Sequence, residues 1–284
     1  MRRHAVRFVG AVLALTLCAL VRALPAPELP ALTAAQVVAR NAAARGGIEA
    51  WRRIDTMAWT GYAENTNVPG RKVPFLLEQK RPGKTRFEIV EPTGMKAVRG
   101  YDGANGWKLR PGKEGPPQIV AYAPDELSFA RGAQVIEGPL MDYVASGAVV
   151  AIAGMEEVDG RRAYVLDVRV PSGGLRRVWV DAQSFLELRH DHEFRDAAGR
   201  QAVATVRYRD YHAFEGLQIP VTIETGGGRN QPTNRLTIER VALNPPIEDK
   251  AFERPEAVSR RRGGVVVDTR SAGGAGTTGA TSRP

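Results

Sequence analysis

The chain contains one cysteine, Cys18, so it cannot form a disulfide of its own. The disulfide framework that holds together small secreted domains is therefore excluded. Histidine is also scarce, with four in 284 residues. No Gly-x-Ser-x-Gly elbow is present to expose a serine nucleophile, and no His-Glu-x-x-His to hold zinc on a helix. Gly226-Gly227-Gly228 precedes no helix pattern, which argues against a phosphate-cradling loop. The longest apolar run, Phe8 to Leu20, is too short to span a bilayer. A basic domain surface is missing as well. Of the formal charge of +9, Arg2, Arg3, Arg7 and Arg22 carry +4 and residues 256–284 carry a net +3, leaving +2 for the body. Phosphate-backbone binding needs basic residues clustered on the folded domain, so nucleic acid is set aside as a partner.

What is present begins with export. Arg2 and Arg3, the apolar run and Val21-Arg22-Ala23 read as a secretory signal over residues 1–23, cleaved before Leu24. Leu17 stands before Cys18 where a lipidated cysteine would follow a small residue, so no lipid anchor is expected. Residues 24–258 form the domain, and 43% apolar content in a chain of this length can bury a substantial core. Residues 259–284, rich in Arg, Gly, Ser and Thr, read as a disordered tail.

Within the domain, Thr33 is placed to cap a helix over Ala34–Arg45 that stops at Gly46-Gly47, and Ile48 to Trp51 resumes a helical turn. From Thr56 onward period-two alternation dominates. Val73–Lys80, Lys84–Glu91, Met95–Tyr101 and Trp107–Leu109 are strand-length runs separated by Pro82-Gly83, Pro92-Thr93-Gly94 and Asp102-Gly103. Strands this close in sequence must pair antiparallel. Pro124–Gly132 and Glu137–Ser146 lose the alternation and read as short helices or helix-like loops. Strands then resume from Val149 to Leu243 with Asp-Gly and Ser-Gly-Gly connectors. The class is mainly β with a few helices (α+β). About eleven antiparallel strands in one series predict a strongly curved sheet or open barrel, since flat sheets of that width are uncommon.

Few residues carry candidate chemistry. His190 and His192, two apart on a strand, could share one metal ion and support a metal-assisted hydrolase, with His212 as a third ligand. Catalytic zinc takes three protein ligands, and two polar residues on a rim segment explain the pattern more simply. Asp102 and Asp181 sit at strand ends beside glycine or small residues, where Asp stabilises turns. The remaining signal is apolar. Trp59, Phe75, Leu77, Phe87, Ile89, Trp107, Leu166, Val168, Leu188, Val221 and Ile223 each occupy one alternation class of their strand. A packed core and the wall of an acyl-chain cavity demand the same residues, and alternation leaves both open.

Lys80-Arg81-Pro82, Phe87, Ile89, Pro92, Asp102-Gly103, Trp107 and Pro111 together resemble the core of the LolA/LolB-like outer-membrane lipoprotein-sorting proteins, the periplasmic lipoprotein carriers. The likeness continues through Val158-Asp159-Gly160, Val180-Asp181, Asp210-Tyr211 and Gly216-Leu217-Gln218-Ile219-Pro220, covering about Ala44 to Pro255. The basic tail lies outside the family pattern. The resemblance implies an incomplete barrel with helices across its mouth and an apolar groove that holds the acyl chains of lipoproteins or similar molecules. It also implies a periplasmic location, no catalysis and no cofactor. Its partners would be inner-membrane releasing and outer-membrane accepting proteins. The same half-barrel in an envelope sensor or scaffold, binding protein, is the rival it leaves open.

Overall fold

The computed structural model describes residues 32–256, apart from 69, 113–114, 133–135, 142, 172–173, 196–197 and 228–232. The leader and the tail lie outside the described residues.

Helix α1 (Ala34–Ala44) opens on a capping box: Gln36 N–H donates to Thr33 Oγ1, and Thr33 N–H donates to Gln36 Oε1. It ends where Gly46, at φ +106°, lies so close to Gly216 that a Cβ would sit 2.4 Å from that carbonyl oxygen. Only glycine fits this approach. The short helix α2 (Ile48–Arg52) follows and buries Trp51.

The first meander is β1 (Thr56–Asn65), β2 (Lys72–Lys80), β3 (Lys84–Val90), β4 (Lys96–Tyr101), β5 (Gly106–Arg110) and β6 (Gln118–Ala121). Helix α3 (Pro124–Gly132) and a run of turns lead to the second: β7 (Val149–Val158), β8 (Arg161–Arg169), β9 (Leu175–Asp181), β10 (Glu187–Arg195), β11 (Gln201–Phe214), β12 (Leu217–Gly227) and β13 (Asn234–Leu243). Each meander pairs neighbour to neighbour. The two are joined by β1 against β13, giving one thirteen-stranded antiparallel sheet with β6 and β7 at its free edges. The sheet is open and strongly curved, mainly β with three α-helices among the described residues, as the alternation predicts. The strand not foreseen is β6, four residues that follow Pro116-Pro117. Residues 137–141 and 143–146 are bends and turns, the loop form of the expected short helices or helix-like loops.

One face of the sheet is covered by helices, here called the inner face. Val37 and Val38 of α1 pack with Leu166, Val168, Val178 and Val180. Trp51 of α2 packs with Met57, Trp59, Phe75, Ile219 and Ile223. On the outer face, residues 245–254 run across the first meander, with Lys80 and Lys84 paired to Asp249 at 2.8 and 3.0 Å. No helix among the described residues is long and apolar enough to cross a membrane.

Candidate functional site

Directly opposed residues share a face of a sheet, so the register assigns each side chain. Trp59 opposes Leu77, which opposes Phe87; Gly61 opposes Phe75, which opposes Ile89. On the other side of β13, Leu236 opposes Ile223, which opposes Tyr208. A further row runs Leu166, Val178, His190, Val206. The structure thus brings Trp59, Phe75, Leu77, Phe87, Ile89, Leu166, Val168, Val221 and Ile223 to the inner face, in two adjoining clusters.

Trp107 and Leu188 are placed elsewhere. Trp107 opposes Gly100, whose own partner Arg86 alternates with Phe87, so its indole lies on the outer face. There it fills the space a Gly100 side chain would need and donates from Nε1 to the Phe252 carbonyl at 2.8 Å. Leu188 is turned outward by a register shift between Glu187 and Arg189 and packs with Val158, Val165 and Trp179. That bulge sends Glu187 inward in its place. A period-two reading cannot anticipate a bulge.

The inner face is closed by residues from the connection between β6 and β7. Ile136, Leu140 and Met141 are buried against it. Helix α3 spans the opening. At one side Glu126 pairs with Lys108 of β5 and, at 3.7 Å, with Arg99 of β4. At the other, Phe129 stacks on His192 with ring centroids 5.0 Å apart and meets Phe194 edge-on at 6.0 Å. Glu137 holds the turn segment down: its carboxylate accepts from Arg81 at 2.6 Å and its carbonyl from Arg45. Arg81, from the Lys-Arg-Pro turn, also donates to the carbonyls of Ile54 and Trp51.

Beneath this cover lies a cavity of about 180 Å³ with walls of Trp51, Trp59, Ile136, Val206, Ile219 and Ile223. Sequence reasoning missed its polar end. Arg45 reaches Glu187 at 3.2 Å, both buried, and its guanidinium lies 4.4 Å above the Trp51 ring. Tyr211 donates to the Glu187 carbonyl at 3.0 Å. Burial, reinforced by Glu187, pushes the phenols of Tyr208 and Tyr211 up from their ordinary range, so both stay protonated. The available sequence signal was Tyr208, which alternates with Val206 on β11. Nothing in the pattern marks Arg45 at a helix end or Glu187 at a bulge. A second cleft, about 330 Å³, lies at the β6 edge beside Trp107, Tyr122 and Arg254.

The histidine pair gains no third ligand among the described residues. His190 and His192 both face inward with centroids 6.5 Å apart. Among the described residues no group of three His, Cys, Asp or Glu side chains could hold an ion. Burial and the nearby Arg176 push His190 down to about 3, so it is neutral in the native protein at ordinary pH. Asp102 and Asp181 are turn residues. Asp102 Oδ1 accepts from the N–H groups of Ala104 and Asn105, and Asp181 Oδ1 accepts from those of Gln183 and Ser184.

The sequence matches no protein-family model and no curated protein. Among solved structures the chain is similar to a LolA superfamily protein of Nitrosomonas europaea at 17% identity and a TM-score of 0.49, covering 78% of this chain and 98% of that one. It is similar to a DUF1329 family protein of Desulfovibrio piger at 14% identity and a TM-score of 0.49, covering 78% and 97%. A domain assigned to outer membrane lipoprotein sorting in Vibrio parahaemolyticus is similar at 13% identity and a TM-score of 0.49, covering 76% and 94%. These are likenesses of fold, and the functional reading rests on the sequence and the site.

Proposed function

We infer that the protein is an exported carrier that binds acyl chains of lipoproteins or other acylated molecules on its inner face, without catalysis. The observation that carries this reading is an apolar face closed by a chain segment rather than by the sheet itself. Trp59, Phe75, Leu77, Phe87, Ile89, Leu166, Val168, Val221 and Ile223 would line the groove, and Ile136, Leu140 and Met141 would stand in for cargo when it is empty. The leader of residues 1–23 and the sorting-protein motifs around Lys80-Arg81-Pro82 support a periplasmic location, with membrane-bound donor and acceptor proteins as partners.

Magnitudes favour long chains. The cavity of about 180 Å³ is below the roughly 300 Å³ at which small-molecule pockets begin, so holding a long acyl chain would require the cover to lift. Exposing three buried aliphatic side chains costs roughly 5–9 kcal/mol at about 1.5–3 kcal/mol each. Burying methylenes returns about 0.8 kcal/mol apiece, so a chain of about ten carbons only balances the opening. A chain of about sixteen leaves a few kcal/mol, enough to hold cargo and still release it.

Solvent extraction of protein purified from an exporting host, followed by mass spectrometry, tests the reading. Co-purified lipid or acylated peptide supports it. Clean extracts from several preparations would favour the rival in which this half-barrel binds protein.

A further inference from the structure

The polar end of the inner cavity has two buried donors that the acyl-chain reading does not use. The guanidinium of Arg45 is committed through Nη1 to the Glu137 carbonyl and to Glu187, yet its Nε–H has no partner among the described residues. Trp59 Nε1–H is likewise buried without a partner. Both residues line the same cavity. A buried donor left unpaired keeps its full desolvation penalty, and two in one cavity are uncommon in a native interior. Trp59 is about nine-tenths buried, so bulk water does not reach the group freely.

We propose that this cavity end is a binding subsite for the ester or amide carbonyl of an acylated ligand, with Trp59 and Arg45 donating to the carbonyl oxygen. The proposal rests on the carrier reading and adds the chemical class of the group that enters first. An acceptor suits Trp59 Nε1–H and Arg45 Nε–H, both of them donors, beside the Gln79 amide that lines the same cavity. A neutral acceptor is required because the positive charge of Arg45 is already matched by Glu187 at 3.2 Å. A free carboxylate would have to share the cavity with that buried anion, and like charges in a low-dielectric site repel strongly. The volume suits the role too. About 180 Å³ is the share of about six waters, enough for an ester group and the first few methylenes.

The test uses three sixteen-carbon probes with the full mature chain: methyl palmitate, palmitate and hexadecyl methyl ether, each read by displacement of the neutral dye phenylnaphthylamine. The ester should bind about 3- to 10-fold tighter than the ether, the range of one or two net hydrogen bonds, and tighter than palmitate. Trp59→Phe, which keeps an aromatic ring and removes the donor, should erase most of the ester advantage, read as the ratio of ester to ether affinity within the same variant. Equal affinity of wild-type protein for ester and ether overturns the proposal, as it would if the donors served only trapped water. Tighter binding of palmitate than of the ester overturns the choice of a neutral acceptor. These comparisons need no variant, so a misfolded Trp59→Phe protein does not shelter the idea. If no probe displaces dye, the carrier reading fails and this inference with it; ester and ether binding alike refutes the subsite alone.

Discussion

Phe87 and Trp107, two strands apart in one meander, lie on opposite faces of the sheet. Phe87 opposes Leu77 on the helix-covered side, whereas Trp107 opposes Gly100 and donates to the Phe252 carbonyl on the other. Mutating the two should therefore give different phenotypes. Trp107→Ala removes a buried indole and one anchor of residues 245–254, and should destabilise the protein by about 3–5 kcal/mol. Binding of an acyl probe should be unchanged in the molecules that remain folded. Phe87→Ala, at a half-buried position, should cost less stability and weaken probe binding. Thermal unfolding beside probe titration separates the two, and matching profiles would refute the facial assignment.

The Arg45–Glu187 pair bridges α1 to β10 inside the protein. Glu187→Gln leaves the buried guanidinium short of its counter-charge, and should cost about 3–5 kcal/mol. Arg45→Met should cost a similar amount by stranding the carboxylate. The double variant Arg45→Met/Glu187→Leu should be more stable than either single change, because the apolar replacements strand neither charge. Strictly additive losses in chemical denaturation would show that the pair does not interact as drawn.

Acid sensitivity follows from His190. Its pKa falls from 6.5 to about 3 on folding, because burial and Arg176 disfavour the imidazolium. Above pH 6.5 both folded and unfolded chains hold the ring neutral, and no penalty arises. Below it the unfolded chain binds a proton that the folded chain refuses, so stability is lost progressively as pH drops toward 3. The ceiling is about 1.4 kcal/mol per pH unit, and partial access of the ring to solvent reduces it. His190→Leu should flatten the stability profile between pH 6.5 and 4. An unchanged acid slope would mean that the ring is protonated in the native state.

How much of this could be read from the residues is a matter of range along the chain. Turn chemistry is local, so Asp102, Asp181 and the Thr33 cap were legible, as was the inner-face class of Trp59, Leu77, Phe87 and Ile89 within unbroken strands. The β1–β13 pairing joins residues about 180 apart, for example Met57 with Leu243, and no local signal encodes it. Trp107 and Leu188 show a second limit. Alternation groups residues within a strand but does not say how one strand's face matches its neighbour's, and a bulge shifts the phase midway. Arg45, Glu187 and Tyr211 converge from three separate elements. A polar site assembled that way has no spacing of its own in the sequence.

On the proposed function, the inner face takes an acyl chain when its cover lifts. Helix α3 is the place to test it, since Phe129 stacks on His192 and ties the cover to β10. In a chain of residues 24–284, which contains no cysteine, cysteines at Phe129 and His192 joined by a short bis-maleimide would hold α3 in place. Uptake of a fluorescent acyl-chain probe should fall at least tenfold on cross-linking, with each single-cysteine variant treated identically remaining competent. Undiminished uptake by the cross-linked protein would contradict the account, because cargo would then be binding somewhere other than beneath the cover.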